Sequence, residues 1–128
     1  MPSFMHILLV GIGGFAGSTL RFTMSHYINL LSTVPHHKII ATIAVNLVGS
    51  FLIGFVGAEA GVKFTLNFNE RLLIFTGIFG GFTTFSSYTF DSYYLFSEKL
   101  YLLAALNLLG QPLLGFAMVW LGFKLGRM

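Results

Sequence analysis

The chain has 128 residues, 55% of them hydrophobic and only 9% charged. A domain this small exposes much surface, and a soluble one covers it with roughly 25% charged residues, which argues against a free-standing soluble enzyme. The net charge of +3 comes from cations scattered singly, with no basic stripe for nucleic acid, and the absence of cysteine removes disulfides and thiolate metal sites.

A helix needs about 20 mostly apolar residues to cross the hydrocarbon of a bilayer. Four windows meet that need and predict an all-α membrane protein, one domain over residues 1–128. They are too long, and alternate too little, for barrel strands. No basic leader and small-residue cleavage pattern marks a cleavable signal. The first window runs from about Phe4 to Leu31 and carries no formal charge before Arg21. Its Gly11-Ile-Gly-Gly-Phe-Ala16 matches a dinucleotide fingerprint, but no strand precedes it and no acid follows at the right distance. Arg21 either snorkels to the interface or lends positive potential to a mouth that draws anions. His6 and His26 lie near the span ends without an evident partner. His36-His37, in the connection Ser32 to Lys38, reads as a solvated loop pair rather than a metal site.

The second window, Ile39 to Ala58, is uncharged and carries Asn46 at its middle. A buried amide in lipid needs partners. Asn46 is therefore either glue between helices or a donor beside a path. The connection Gly61 to Arg71 follows.

The third window, Leu72 to Phe90 and extending to about Phe96, is the odd one. Gly80-Gly81 runs into Thr83, Thr84, Ser86, Ser87 and Thr89. Glycines weaken a helix and hydroxyls compete for its backbone bonds, so a break is predicted near Gly80 to Phe85. Non-helical backbone at that depth must be buried in protein or line a cavity. Helical spacing puts Phe85 and Tyr88 on one face and Thr84, Ser87 and Asp91 on the next. The first pair reads as ring edges facing an anion or as core packing.

The fourth window, Leu100 to Phe123, sets Asn107, Gln111 and Gly115 on one face, and Pro112 removes the backbone donor that would bond the Leu108 carbonyl. The spacings Gly13/Gly17, Gly57/Gly61, Gly77/Gly81 and Gly122/Gly126 predict close helix contacts. Lys63, Arg71, Lys124 and Arg127 fall on one side of the four spans, and Arg21, Lys38 and Lys99 on the other. That is almost no orientation bias. No nucleophile, base and orienting group assemble, so no enzyme is expected.

Three segments carry a resemblance: Gly13-Gly-Phe-Ala-Gly-Ser-Thr-Leu-Arg21, Val45-Asn-Leu-Val-Gly-Ser50 and Gly77-Ile-Phe-Gly-Gly-Phe-Thr-Thr-Phe-Ser-Ser87. With these in order, the whole chain resembles the Fluc (CrcB) fluoride channels, small four-span membrane proteins of bacteria and archaea. The resemblance implies an inverted, dual-topology dimer in the inner (plasma) membrane, with two pores that let fluoride leave the cell passively. It implies a fluoride pore at Asn46, Phe85, Ser86, Ser87 and Tyr88, joined by Asn107 and Gln111 on the fourth span, and a vestibule at Arg21. It implies a structural Na+ at the dimer centre, held by the backbone carbonyls of Gly80 and Thr83. The chain departs from the family where Tyr88 replaces the usual Phe and where Asn107, Gln111 and Gly115 replace a Tyr and Ser track. A heterodimer also fits the resemblance. The alternative reading is a small four-span dimeric solute or multidrug exporter, weakened by the lack of a central carboxylate.

Overall fold

The computed structural model describes residues 1–62 and 65–128. Lys63, and the surroundings of Gly61, lie outside the described residues. In chain order the elements are α1 (Phe4–Leu31), α2 (His37–Val62), α3 (Phe68–Arg71), a π-helix (Leu72–Phe79), α4 (Gly80–Phe82), α5 (Phe85–Ser97) and α6 (Tyr101–Gly126). Among the described residues, three helices are long and apolar enough to cross a membrane: Phe4–Leu31, His37–Ala60 and Tyr101–Gly126. The other crossing is assembled end to end from the shorter pieces between Phe68 and Ser97.

Local chemistry sets the ends of these elements. Ser3 opens α1 with a capping box: its Oγ accepts from the His6 N–H, and His6 Nδ1 accepts from the Ser3 N–H. His6 also meets Phe68 edge to face at 5.1 Å, and His26 lies against Phe22 and Tyr27. Both histidines thus have the neighbours that sequence did not show. Asn67 and Glu70 form a second capping box, so the third crossing begins at Phe68, one turn before the expected Leu72. α2 and α6 each run past their expected ends.

The third crossing differs from expectation in two ways. Leu72–Phe79 is wound as a π-helix, with the Gly80 N–H reaching back to the Phe75 carbonyl; no feature of the sequence announces it. The break is also shorter than Gly80 to Phe85, and of its two expected causes only the hydroxyls act there. Gly80-Gly81 stays helical, and only Thr83 (φ −80°, ψ 160°) and Thr84 (φ −147°, ψ 116°) are extended. The hydroxyls make the break. Thr84 Oγ1 caps α5 by accepting the Ser87 N–H at 3.2 Å.

The glycines close the packing. A Cβ on Gly13 would lie 2.9 Å from the Gly77 Cα, and one on Gly17 would lie 2.8 Å from the Phe82 nitrogen. α1 therefore lies backbone to backbone along the first half of the broken crossing. Gly122 and Gly126 bring α6 equally close to α2 at Phe51 and Phe55. At Gly57 the approach is ordinary, with Phe75 3.8 Å from a Cβ, and the surroundings of its mate Gly61 lie outside the described residues. α6 also holds α5. Much of the outer surface is apolar, including Phe15, Phe22, Leu113 and Phe116. That is the surface a membrane protein presents to lipid or to another copy.

Gly17→Val should cost about 1–3 kcal/mol through overpacking against backbone that cannot yield. Gly11→Ala, where a Cβ meets nothing within 4 Å, should be near neutral. Unfolding of the two variants in detergent checks the contrast.

Candidate functional site

A helix that stops inside hydrocarbon strands backbone groups, each costly to leave unpaired. At the break the threatened peptide groups belong to Thr84, and Asn46 of α2 meets them. Asn46 Oδ1 accepts the Thr84 N–H at 2.8 Å, and Asn46 Nδ2 donates to the Thr84 carbonyl at 3.0 Å. A backbone N–H only donates and a carbonyl only accepts, so this pair fixes which way the Asn46 amide faces.

That orientation then propagates. Asn46 Nδ2 also donates to Gln111 Oε1 at 2.6 Å. Gln111 must therefore offer its nitrogen onward, and Nε2 donates to Asn107 Oδ1 at 3.1 Å. Asn107 Nδ2 donates to Ser92 Oγ at 2.8 Å, and Ser92 donates to the Tyr88 carbonyl at 2.9 Å. Among the described residues, Ser92, Asn107 and Gln111 are the buried polar ones, each 6–7% exposed. The row runs from the break to a backbone carbonyl of α5 with every donor pointing the same way.

Tyr88 engages its hydroxyl elsewhere. It donates to the Leu108 carbonyl at 2.5 Å, the group whose helical donor Pro112 lacks. The ring stays beside Phe85, with centroids 5.5 Å apart and planes tilted by 49°. Phe85 itself is 75% exposed.

These groups line two hollows on either side of the break. A groove of about 390 Å³ is bordered by Asn46, Thr83, Phe85, Tyr88, Gln111 and Gly115. A smaller cavity of about 310 Å³ brings Arg21 together with the hydroxyls of Ser18, Ser25, Thr42, Thr84 and Ser87. Arg21 does not run out to an interface: its Nη1 donates to the Thr83 carbonyl at 3.4 Å. Thr84 borders both hollows, and its Oγ1 donates to Ser87 Oγ at 3.1 Å. Ser86 stands on the exposed side, 3.3 Å from Thr84 Oγ1. Asn107 lies behind Gln111, where it borders an apolar hollow with Ile39 and Leu106 rather than the main groove. One turn beyond Ser25 and Ser87, Asn29 Oδ1 and Asp91 Oδ2 are buried without a donor among the described residues.

The diversion of the Thr84 N–H to Asn46 also bears on the sodium expectation. In an unbroken helix that N–H would bond the Gly80 carbonyl. The Gly80 carbonyl loses that donor, and Gly80 is an exposed residue. Among the described residues the Thr83 carbonyl meets the long contact from Arg21. Both are hard oxygen donors of the kind that suits a small hard cation.

Sequence reasoning placed Thr84 on the hydroxyl face beside the aromatic pair without seeing its peptide as the group Asn46 meets, and did not place Ser92 at all. Thr84 carried a signal, a hydroxyl three residues before Ser87 in the manner of a helix cap. Ser92 carried none, because its partner Asn107 sits on another helix.

A helical membrane protein with one crossing interrupted partway, and polar side chains converging on the interruption, has the architecture of an ion pathway. Residues 8–123 match the family model described as CrcB-like protein, Camphor Resistance (CrcB). The chain belongs to this CrcB family. It is 41% identical over 123 residues to the fluoride-specific ion channel FluC of Parabacteroides distasonis, covering 94% of this chain and 92% of that one. It is 42% identical over 122 residues to FluC of Chlorobium chlorochromatii, covering 95% and 92%. FluC of Aquifex aeolicus is 38% identical over 124 residues, covering 94% and 96%.

Tyr88→Phe should cost about 1–3 kcal/mol by leaving the Leu108 carbonyl unpaired. In a Pro112→Ala background, where a backbone N–H can take that carbonyl, the same change should cost much less. A double-mutant cycle of unfolding free energies checks the coupling.

Proposed function

We propose that this chain forms a passive channel, not an enzyme, that lets fluoride leave the cytoplasm across the inner membrane. The observation that carries the reading is the groove at the helix break, with Asn46 and Phe85 on its wall, in a chain matched along nearly its whole length by relatives named as fluoride-specific channels. Fluoride is small and tightly hydrated. A pore must replace its water with donors yet hold it loosely enough to release it. The Asn46 amide of α2 bonds the Thr84 peptide at the break, and the Ser86 and Ser87 hydroxyls lie in the first turn of α5 after it. The rims of the Phe85 and Tyr88 rings carry weak positive potential, and Arg21 supplies a full positive charge in the adjoining cavity. Asn107 and Gln111 extend the polar row into α6.

A single protomer leaves the groove open on one side, with Phe85 exposed at its edge. The reading therefore includes a second copy that closes it. The nearly even division of Lys and Arg between the two sides of the spans favours a pair inserted in opposite orientations. A self-paired homodimer is the simplest form, and a non-identical partner of the same family would serve the same geometry. Na+ at the dimer centre belongs to the same reading, with the Gly80 and Thr83 carbonyls as its holders. When bound it supplies a fixed positive charge; the residues of the chain do the rest. Asn46 holds the break, Phe85 and Tyr88 set the width, and Arg21 biases the mouth toward anions.

Purified protein in liposomes should release fluoride far faster than chloride, read with ion-selective electrodes. Asn46→Ala should lower the fluoride rate by about 10- to 100-fold, the value of a hydrogen bond to a charged group, while cross-linking in detergent still yields a dimer.

A further inference from the structure

Asn46 has two amide hydrogens, and both are in use. One goes to the Thr84 carbonyl and the other to Gln111 Oε1. An ion that takes a hydrogen from Asn46 must displace one of these acceptors. Giving up the Thr84 bond would loosen the backbone at the break, where Asn46 is the side-chain partner of the Thr84 peptide. The Gln111 bond joins two side chains across the groove that both of them line.

We infer that Gln111 is a positioning residue whose side-chain oxygen acts as a tethered competitor for the ion, standing on Asn46 in the ion's place. The inference rests on the fluoride-channel reading. Its physical basis is the one-way row of amides. The Thr84 peptide fixes Asn46, so Gln111 cannot turn its nitrogen toward Asn46 without setting two donors against each other. Its own Nε2 is anchored on Asn107 Oδ1, and Asn107 is anchored on Ser92. A partial negative charge is thus held 2.6 Å from the Asn46 nitrogen. It keeps that half-buried donor satisfied when no ion is present, reducing the cost of an unpaired group. When an ion arrives, the same oxygen must yield, which weakens net binding. When the ion moves on, the oxygen returns and speeds release. A tightly hydrated anion needs both: a donor already stripped of water and a way to leave it.

The test uses the full-length protein in liposomes, with initial fluoride efflux measured over a range of fluoride concentrations. Gln111→Met keeps length and removes the amide oxygen. It should lower the half-saturating fluoride concentration by about three- to tenfold, the value of one neutral hydrogen bond, and should lower the maximal rate as release slows. A residue that merely packed would not shift the two in this linked way. The affinity gain should vanish when Asn46→Ala is combined with Gln111→Met. Gln111→Ser, which is smaller and also withdraws the oxygen from Asn46, should shift half-saturation in the same direction and serves if the methionine variant does not fold. An unchanged half-saturation in a folded variant, or a gain that persists without Asn46, overturns the inference while leaving the channel reading intact. No selective fluoride efflux from the wild-type protein overturns both.

Discussion

A peptide group that leaves its helix within a membrane must find a side chain or strand itself, since lipid offers neither donor nor acceptor. Thr84 finds Asn46, and the rest of the site follows from that pairing. The two hydrogen bonds, 2.8 Å and 3.0 Å long, treat an amide side chain as though it were the neighbouring strand of a sheet. They let two residues of extended backbone persist between α4 and α5. They also turn Phe85 and Tyr88 into the groove, because α5 restarts at the residue after Thr84.

The same pairing gives the polar row its direction. Amides and hydroxyls are usually ambiguous about which atom donates. Here the backbone resolves the ambiguity at both ends, at the Thr84 peptide and at the Tyr88 carbonyl. Between them Gln111, Asn107 and Ser92 are each buried and each satisfied. A fully paired network rigidifies its surroundings, whereas a half-paired one would weaken them. Pro112 and Tyr88 repeat the logic on a smaller scale: one removes a donor and the other replaces it.

Around this polar centre the fold is held by close backbone approach. In lipid there is little hydrophobic gain in joining helices, so shape and proximity dominate. α1 lies against the first half of the broken crossing through Gly13, Gly17 and Gly77, and α6 lies against α2 through Gly122 and Gly126. These seams leave the break between them, with a hollow on each side.

Apolar length alone located the crossings, because it measures the cost of hydrocarbon directly. α1 falls on Phe4 to Leu31 as expected, and the hydroxyl-rich run around Thr83 does interrupt the third crossing. The family is legible in the same residues, in the three motifs around Arg21, Asn46 and Phe85. The partners were not legible. Asn46 meets Thr84 38 positions away and Gln111 65 positions away, and no local pattern encodes such pairs. The glycine spacings announced close seams, but which backbone each seam meets depends on what lies opposite it. So does the position of Arg21 beside the Thr83 carbonyl. Composition and periodicity describe how each residue meets an average environment, lipid or core. Which donor faces which acceptor is a property of neighbours, and only the packed helices supply those.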